Sequence, residues 1–197
     1  PSWNSSMENF SFCSFSYLWR QSRSALLSCS LSSTTAMRTI AAFTYDFPLD
    51  RIVHALKYGH QLAVANWCAQ QLAPRVDSAA LDCIIPLPLH PERLRQRGFN
   101  QSGEIAKRLA RASGLPIAHN SLLRTRATTA QADLPHKERR NNVRGAFECR
   151  TDFSGKRLLL IDDVMTTAAT ANECARVLKL HGAQAVTVAV VARALKH

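Results

Sequence analysis

The chain has 197 residues, 46% of them apolar and 20% charged, with a formal net charge of +11. That length and apolar content can bury a substantial core and suit one α/β domain of about 150 residues plus an appendage. No stretch approaches the length of a membrane-spanning helix. The six cysteines, at positions 13, 29, 68, 83, 149 and 174, form no Cys-x-x-Cys pair and meet no His-x-x-x-His. Neither a zinc site nor a disulfide framework is indicated, and the thiols read as free in a cytoplasmic, reducing compartment.

Residues 1–40 contain 12 serines and no sustained hydrophobic periodicity, so they are expected to be a poorly ordered segment, with the folded domain at 41–197. Ala25 to Cys29 faintly resembles a lipoprotein cleavage site, but Arg20, Gln21, Ser22 and Arg23 interrupt any apolar region before it, which argues against a signal peptide. The start at Pro1 would also fit a truncated or out-of-frame N-terminal stretch. Ala41 to Phe47, mixing β-branched and aromatic residues, predicts an early strand. Ile52, Val53 and Leu56, then Leu62, Ala65, Ala69 and Leu72, mark two helices, the second ended by Pro74.

Leu81 to Leu87 predicts a core strand that breaks at Pro86, Pro88 and Pro91, a stiff loop at a strand end and so a candidate ligand edge. Gln101 to Ser113 reads as an amphipathic helix with Ile105, Ala106 and Leu109 inward, closed by Gly114 and Pro116. Residues 124–142 are polar, basic and poorly periodic, which predicts a long loop. Within 93–150 there are 13 Lys or Arg against 4 Asp or Glu, a local basic field suited to an anionic partner, or else a set of solvated faces. Ala185 to Ala192 supplies a last apolar strand. Strands alternating with helices imply an α/β fold, a mostly parallel twisted sheet flanked by helices with right-handed crossovers.

The densest signal is Leu158 to Thr170. Four consecutive apolar residues, Leu158 to Ile161, suit a strand buried on both faces, and Asp162 and Asp163 fall at its carboxyl end, where open α/β sheets bind ligands. The two acids point to different sides, and each could accept from one hydroxyl of a vicinal diol. Small side chains from Thr166 to Ala169 would let backbone amides approach an anion, with Thr166, Thr167 and Thr170 adding hydroxyls. Thr170 and Glu173 match a capping box, and the helix stops at His181-Gly182. The plainer reading is a solvated strand end with an ordinary cap, but adjacent like charges beside a buried strand cost stability unless a cation or hydroxyls meet them.

This stretch resembles the phosphoribosyl pyrophosphate (PRPP) signature of the type I phosphoribosyltransferases. Further segments narrow the resemblance to the ComF-like branch associated with DNA uptake in competence. They are Ala55-Leu56-Lys57-Tyr58-Gly59, Ile85-Pro86-Leu87-Pro88, Arg97-Gly98-Phe99-Asn100-Gln101, and the spaced set Arg124, Arg126, Thr128, Gln131, Leu134, Arg139, Asn142 and Gly145-Ala146-Phe147; together they cover about residues 41–195.

The resemblance implies a reaction, displacement of pyrophosphate from C1 of PRPP with Mg2+, a pentosyl transfer to an acceptor that no residue identifies. It implies that Asp162 and Asp163 hold the ribose hydroxyls, directly or through water and Mg2+. Val164, Met165, Thr166, Thr167, Ala168, Ala169 and Thr170 complete the PRPP site, and Leu87, Pro88, Leu89 and His90 receive the pyrophosphate, with Leu87-Pro88 in a strained geometry. Arg93, Arg97 and Arg126 are candidates to neutralise the leaving group; no metal site built by the protein itself is expected. A mobile segment, 93–100 or 124–142, would close over PRPP.

Two departures stand out. Ala168 replaces the usual glycine and would strain the loop if positive φ is needed, weakening PRPP binding; and the family's four-cysteine zinc module is not recognisable. Other classes of function share these residues: a single-stranded DNA or protein-binding module, in which Phe99 with Arg95, Arg97 and Lys107 contacts a strand, or a PRPP sensor without turnover. Competence proteins are then the expected partners, and a dimer would follow from fold analogy.

Overall fold

The computed structural model describes residues 27–31, 37–59, 61–127 and 138–194. Its main sheet has five strands. They are β1 (Leu27–Leu31), β2 (Met37–Thr44), β3 (Cys83–Pro86), β6 (Arg157–Met165) and β7 (Ala185–Arg193), in the order β1-β2-β7-β6-β3. Only β1 is antiparallel; β2, β7, β6 and β3 run parallel, as the alternation of strands and helices predicts. A small antiparallel pair, β4 (Leu122–Arg124) and β5 (Phe147–Cys149), stands beside it.

The helices are α1 (Leu49–Tyr58), α2 (Leu62–Leu72), α3 (Pro91–Arg97), α4 (Gln101–Ser113), α5 (Glu138–Val143) and α6 (Ala169–Leu180). They divide the core into two layers. On one face Leu158, Leu160, Val186, Val188 and Val190 pack against Cys174, Ala175 and Leu178 of α6, with Phe147 and Val143. On the other, Leu159, Ile161, Ala189 and Val191 meet Leu56, Cys68, Leu72, Ile105 and Leu109 from α1, α2 and α4. Leu158 to Ile161 are fully buried, which is why that run has no polar alternation: β6 is covered on both faces.

Local chemistry sets the helix ends around β6. Asn100 accepts from the Ser102 N–H at 3.1 Å and starts α4, and Gly114, at φ 74°, ends it. Residues 116–118 run along the outer edge of β3, where Ile84 N–H donates to Pro116 O and Ala118 N–H to Ile84 O. The edge groups of this short strand are thereby paired.

Several expectations are corrected. The early strand begins at Met37 and ends at Thr44, so a boundary at residue 41 falls inside β2, and β1 adds a further strand from within residues 1–40. Residues 1–26 and 32–36 lie outside the described residues. The stretch 124–142 is not one loop: Arg124 ends β4 and α5 begins at Glu138, while 128–137 is outside the described residues. Arg93 and Arg97, within the candidate mobile segment 93–100, belong to the helix α3. Among the described residues the cis peptide is Phe47-Pro48, and positive φ outside glycine occurs at Asn120 and Ala168, so Leu87-Pro88 has neither form of strain. The capping box does not form. The N-cap of α6 is Ala168, without a side-chain bond, and Glu173 accepts instead from Gly145 N–H at 2.8 Å and from Arg176.

Candidate functional site

Three elements converge on the carboxyl end of β6: the C-terminal turn of α1, the N-terminal turn of α4 and the turn into α6. The two acids there behave differently. Asp163 is buried; its Oδ1 accepts from Val164 N–H at 2.8 Å, and its Oδ2 lies 2.8 Å from Nζ of Lys57 in the last turn of α1. Asp162 is half-buried. Its Oδ1 accepts from Asp163 N–H at 2.8 Å and from Ser102 Oγ at 3.2 Å, which leaves Oδ2 outside these internal bonds. The two acids thus have different partners, and Asp163 is already engaged within the fold.

Electrostatics follow the geometry. Burial, then the charge of Asp163, pushes the Asp162 carboxyl up to about 8. Burial pulls the Lys57 ammonium down, yet the charge and hydrogen bond of Asp163, with the charge of Asp162, outweigh it and leave the group raised. The thiols of Cys68 and Cys174 are also raised, by burial first and then by Asp163 and Asp162 respectively. They stay protonated and unreactive at neutral pH.

The turn after β6 has the conformation its sequence raised as a question. Ala168 sits at φ 59°, ψ 6°, the left-handed region, and its O accepts from Asn172 N–H as α6 begins. Thr166 is exposed and Thr167 half-buried, its Oγ1 accepting from Ala169 N–H at 3.4 Å. Met165, Ala168 and Ala169 bury their side chains in the core, so they can offer a ligand only backbone. Val164 packs half-buried on the opposite layer and Thr170 lies in the first turn of α6.

On the pyrophosphate side, much of the expected loop is used by the fold itself. Leu87 donates its N–H to Ile161 O at 2.9 Å and accepts from Asn100 Nδ2 at 3.0 Å. Pro88 is buried and has no N–H to give. His90 caps α3 by accepting from Glu92 N–H, and Leu89 lines a cleft. Arg97 donates to Gln101 Oε1 at 2.7 Å and lies 5.3 Å from the Tyr58 ring, while Arg126, exposed, donates to the carbonyls of Asn142 and Arg144.

Two residues emerge that the sequence left without roles. Lys57 is one. Arg124 is the other: it is 9% exposed, lies 5.5 Å from the Phe147 ring, and is close enough to Arg93, Asp162 and Arg126 for their charges to act on it. Burial, then Arg93, lowers its affinity for the proton. A cleft of about 690 Å³, lined by Pro86, Pro88, Leu94, Phe99, Glu104 and Arg124 among others, opens between α3, α4 and β4. Its lining does not include Asp162 or the turn at 166–170; Arg124 lines it and feels the charge of Asp162.

Comparison with known proteins decides the family. Residues 95–197 match the model of the phosphoribosyl transferase domain. The chain belongs to that family. It is 33% identical over 165 residues to the DNA utilization protein YhgH of Escherichia coli O157:H7, covering 80% of this chain and 73% of that protein. It is 32% identical over 160 residues to competence protein F of Haemophilus influenzae, covering 76% and 70%. Among solved structures, it resembles the glutamine PRPP amidotransferase of B. subtilis at 20% identity and TM-score 0.43, covering 64% of this chain and 26% of that one. The purine phosphoribosyltransferase of Pyrococcus horikoshii is similar at 17% identity and TM-score 0.39, covering 79% and 77%. In this phosphoribosyltransferase-family chain no described helix is long and apolar enough to cross a membrane. No group of three or more His, Cys, Asp or Glu among the described residues could hold a metal by itself.

Proposed function

We propose that this phosphoribosyltransferase-family protein binds PRPP at the carboxyl end of β6 and transfers its phosphoribosyl group, with release of pyrophosphate, in the service of DNA utilisation. The observation that carries the reading is the half-buried Asp162, with Oδ2 outside the internal bonds, immediately before a left-handed turn into α6. A carboxylate there can accept from a ribose hydroxyl, while the turn offers amides and the hydroxyls of Thr166 and Thr167 to the 5-phosphate.

In the reaction the C1–O bond to pyrophosphate breaks, a bond from the acceptor to C1 forms, and charge develops on the leaving oxygens. Arg93 and Arg97 are the candidates to neutralise it, with Arg124 in place of Arg126, whose guanidinium already donates to the carbonyls of Asn142 and Arg144; removing one such donor typically costs about 2.7–4 kcal/mol. The residues present fit Mg2+ brought by PRPP: one carboxylate oxygen of Asp162 beside phosphate oxygens is a common donor set for this ion, and the described residues contain no protein cage of their own. Mg2+ bound there would neutralise part of the pyrophosphate charge. Cys68, Cys83, Cys149 and Cys174 are free thiols, which supports a reducing, cytoplasmic setting.

Titration calorimetry with Mg2+ and PRPP, followed by pyrophosphate release with candidate acceptors, tests the proposal, with Asp162→Asn and Asp163→Asn as controls. Absence of PRPP binding by the wild-type protein would end it. Binding without release, whatever acceptor is offered, would favour the sensor. The basic surplus of residues 93–150, together with the DNA utilization and competence names of its relatives, supports a second reading in which the same domain also contacts single-stranded DNA. That contact should weaken steeply with salt as counterions are released.

A further inference from the structure

We propose that Lys57 is a positioning residue of the PRPP site: its ammonium holds Asp163 as an internal anchor, so that Asp162 is the carboxylate presented to the ligand. This rests on the PRPP reading above and names a residue outside the Leu158–Thr170 signature.

The four carboxylate oxygens of the acid pair differ in their partners. Both oxygens of Asp163 are engaged at 2.8 Å, Oδ1 by the hydrogen bond from Val164 N–H and Oδ2, buried and without a hydrogen bond of good geometry, by the ion pair with Lys57 Nζ. One oxygen of Asp162 is taken, by Asp163 N–H and Ser102 Oγ. The oxygen left for a ligand is therefore on Asp162. The bridge is no surface pair, since the side chains of Lys57 and Asp163 keep 24% and 6% of their exposure. Among the described residues Lys57 is the cation that salt-bridges the acid pair. Cys68 of α2, fully buried, stays protonated and so adds no second negative charge near Asp163.

Removing one partner of such a pair leaves a charge with few ways to be solvated. Asp163 would then have to take a proton or rotate toward the crevice, and the backbone that carries Asp162 would move with it. The Asp163 N–H that orients Asp162 belongs to the same residue. Lys57 also stands next to Tyr58, whose ring lies 5.3 Å from the Arg97 guanidinium, and Arg97 in turn donates to Gln101 at the start of α4. The end of α1 is thus fixed both to the acid pair and to the arginine helix α3 across the crevice. PRPP, a polyanion with a vicinal diol, needs both sides in register.

The test measures Mg2+–PRPP affinity by calorimetry, and folding by circular dichroism and thermal melting, for wild type, Lys57→Met, Lys57→Arg, Asp163→Asn and the double variant Lys57→Met/Asp163→Asn. Lys57→Met is expected to bind PRPP at least tenfold more weakly at a temperature where it is fully folded. Lys57→Arg, which keeps the cation, should recover most of that loss. The double variant should bind no more weakly than Lys57→Met alone, because the two residues act through one contact. Wild-type affinity in folded Lys57→Met, or losses that simply add in the double variant, would overturn the proposal while leaving the PRPP reading intact. Should Lys57→Met fail to fold, the double variant, which has neither buried charge, is compared with Lys57→Arg: a tenfold deficit supports the role and equal affinity refutes it. Failure of the wild-type protein to bind PRPP removes both readings together.

Discussion

Ala168 offers the sharpest test of how the turn after β6 is built. At φ 59° a Cβ meets the following carbonyl, a cost of about 1–2 kcal/mol for a non-glycine residue. Replacing it by glycine removes that cost but adds about 0.4–1 kcal/mol of unfolded-state entropy. It also strips a methyl that is 8% exposed within the α6 layer of the core, worth up to about 0.8 kcal/mol. These terms nearly cancel, so Ala168→Gly should melt within about 2 °C of wild type.

PRPP affinity should rise only about two- to threefold. The ligand-free turn already holds the left-handed conformation, so most of the strain is borne in folding rather than at binding. Ala168→Val is the contrasting perturbation: a β-branched residue at this φ is a genuine outlier, and the larger side chain must enter the core layer. A loss of about 2–3 kcal/mol is expected, seen as a melting temperature about 4–12 °C lower, with PRPP binding abolished. Thermal melts and calorimetric titrations on the three proteins decide the matter. Equal stability and affinity for the valine and glycine variants would show that the backbone at 168 is not constrained, and the reasoning from φ would fail.

Other expectations follow from the same geometry. Asp162→Asn should weaken PRPP binding at least tenfold yet raise stability at neutral pH. The carboxyl is held up to about 8, far above the ordinary aspartate value of 3.8, so the stability linked to its neutral form is full below pH 3.8 and is lost as pH rises toward 8. At 1.36 kcal/mol per unit the ceiling at pH 7 is about 4 kcal/mol. Water at the half-open strand end reduces that to about 1–2 kcal/mol, and melts from pH 4 to 8 should show the variant's advantage growing with pH. Arg124→Met should drop pyrophosphate release about a hundredfold or more; undiminished release would remove Arg124 from the site. Gly182→Ala would put a Cβ 2.7 Å from Ser154 Oγ and 2.8 Å from its Cα at φ 88°. It should cost more than about 2 kcal/mol by melting, with PRPP affinity of the folded protein unchanged.

The parts of the fold that were legible are those where one local rule acts alone. Leu158–Ile161 reads as a doubly buried strand because it is one, and α4 shows its periodicity, its Asn100 cap and its Gly114 stop in plain sequence. The strands β4 and β5 were not legible: each has three residues, and they pair across an intervening helix. Nor was α3, which buries no residue fully and so leaves no apolar stripe. The Thr170–Glu173 pattern misled because Glu173 is drawn to Gly145 N–H and Arg176, partners that only the folded chain brings near. In the site, the acid pair announced itself by adjacency. Lys57 resembled an ordinary cation at a helix end, and its acid partner lies far along the chain.

Three arrangements that cost stability meet in this one crevice: a carboxylate pair at a buried strand end, an arginine 9% exposed near two like charges, and an alanine held in the left-handed region. Separately each would be a local defect. Together they have one common remedy. A ligand carrying hydroxyls for Asp162, negative charge for the arginines and a phosphate for the turn would offset the first two costs directly and use the third as the shape of its cradle. That the unfavourable features share a place, and that their needs are those of one molecule, is a physical reason for siting PRPP there that does not depend on the signature. The same reasoning explains why Lys57 matters. With one cation committed to Asp163, the crevice keeps a single available carboxyl group, held largely neutral at pH 7 while the site is empty, which can orient a diol without repelling the phosphates that flank it.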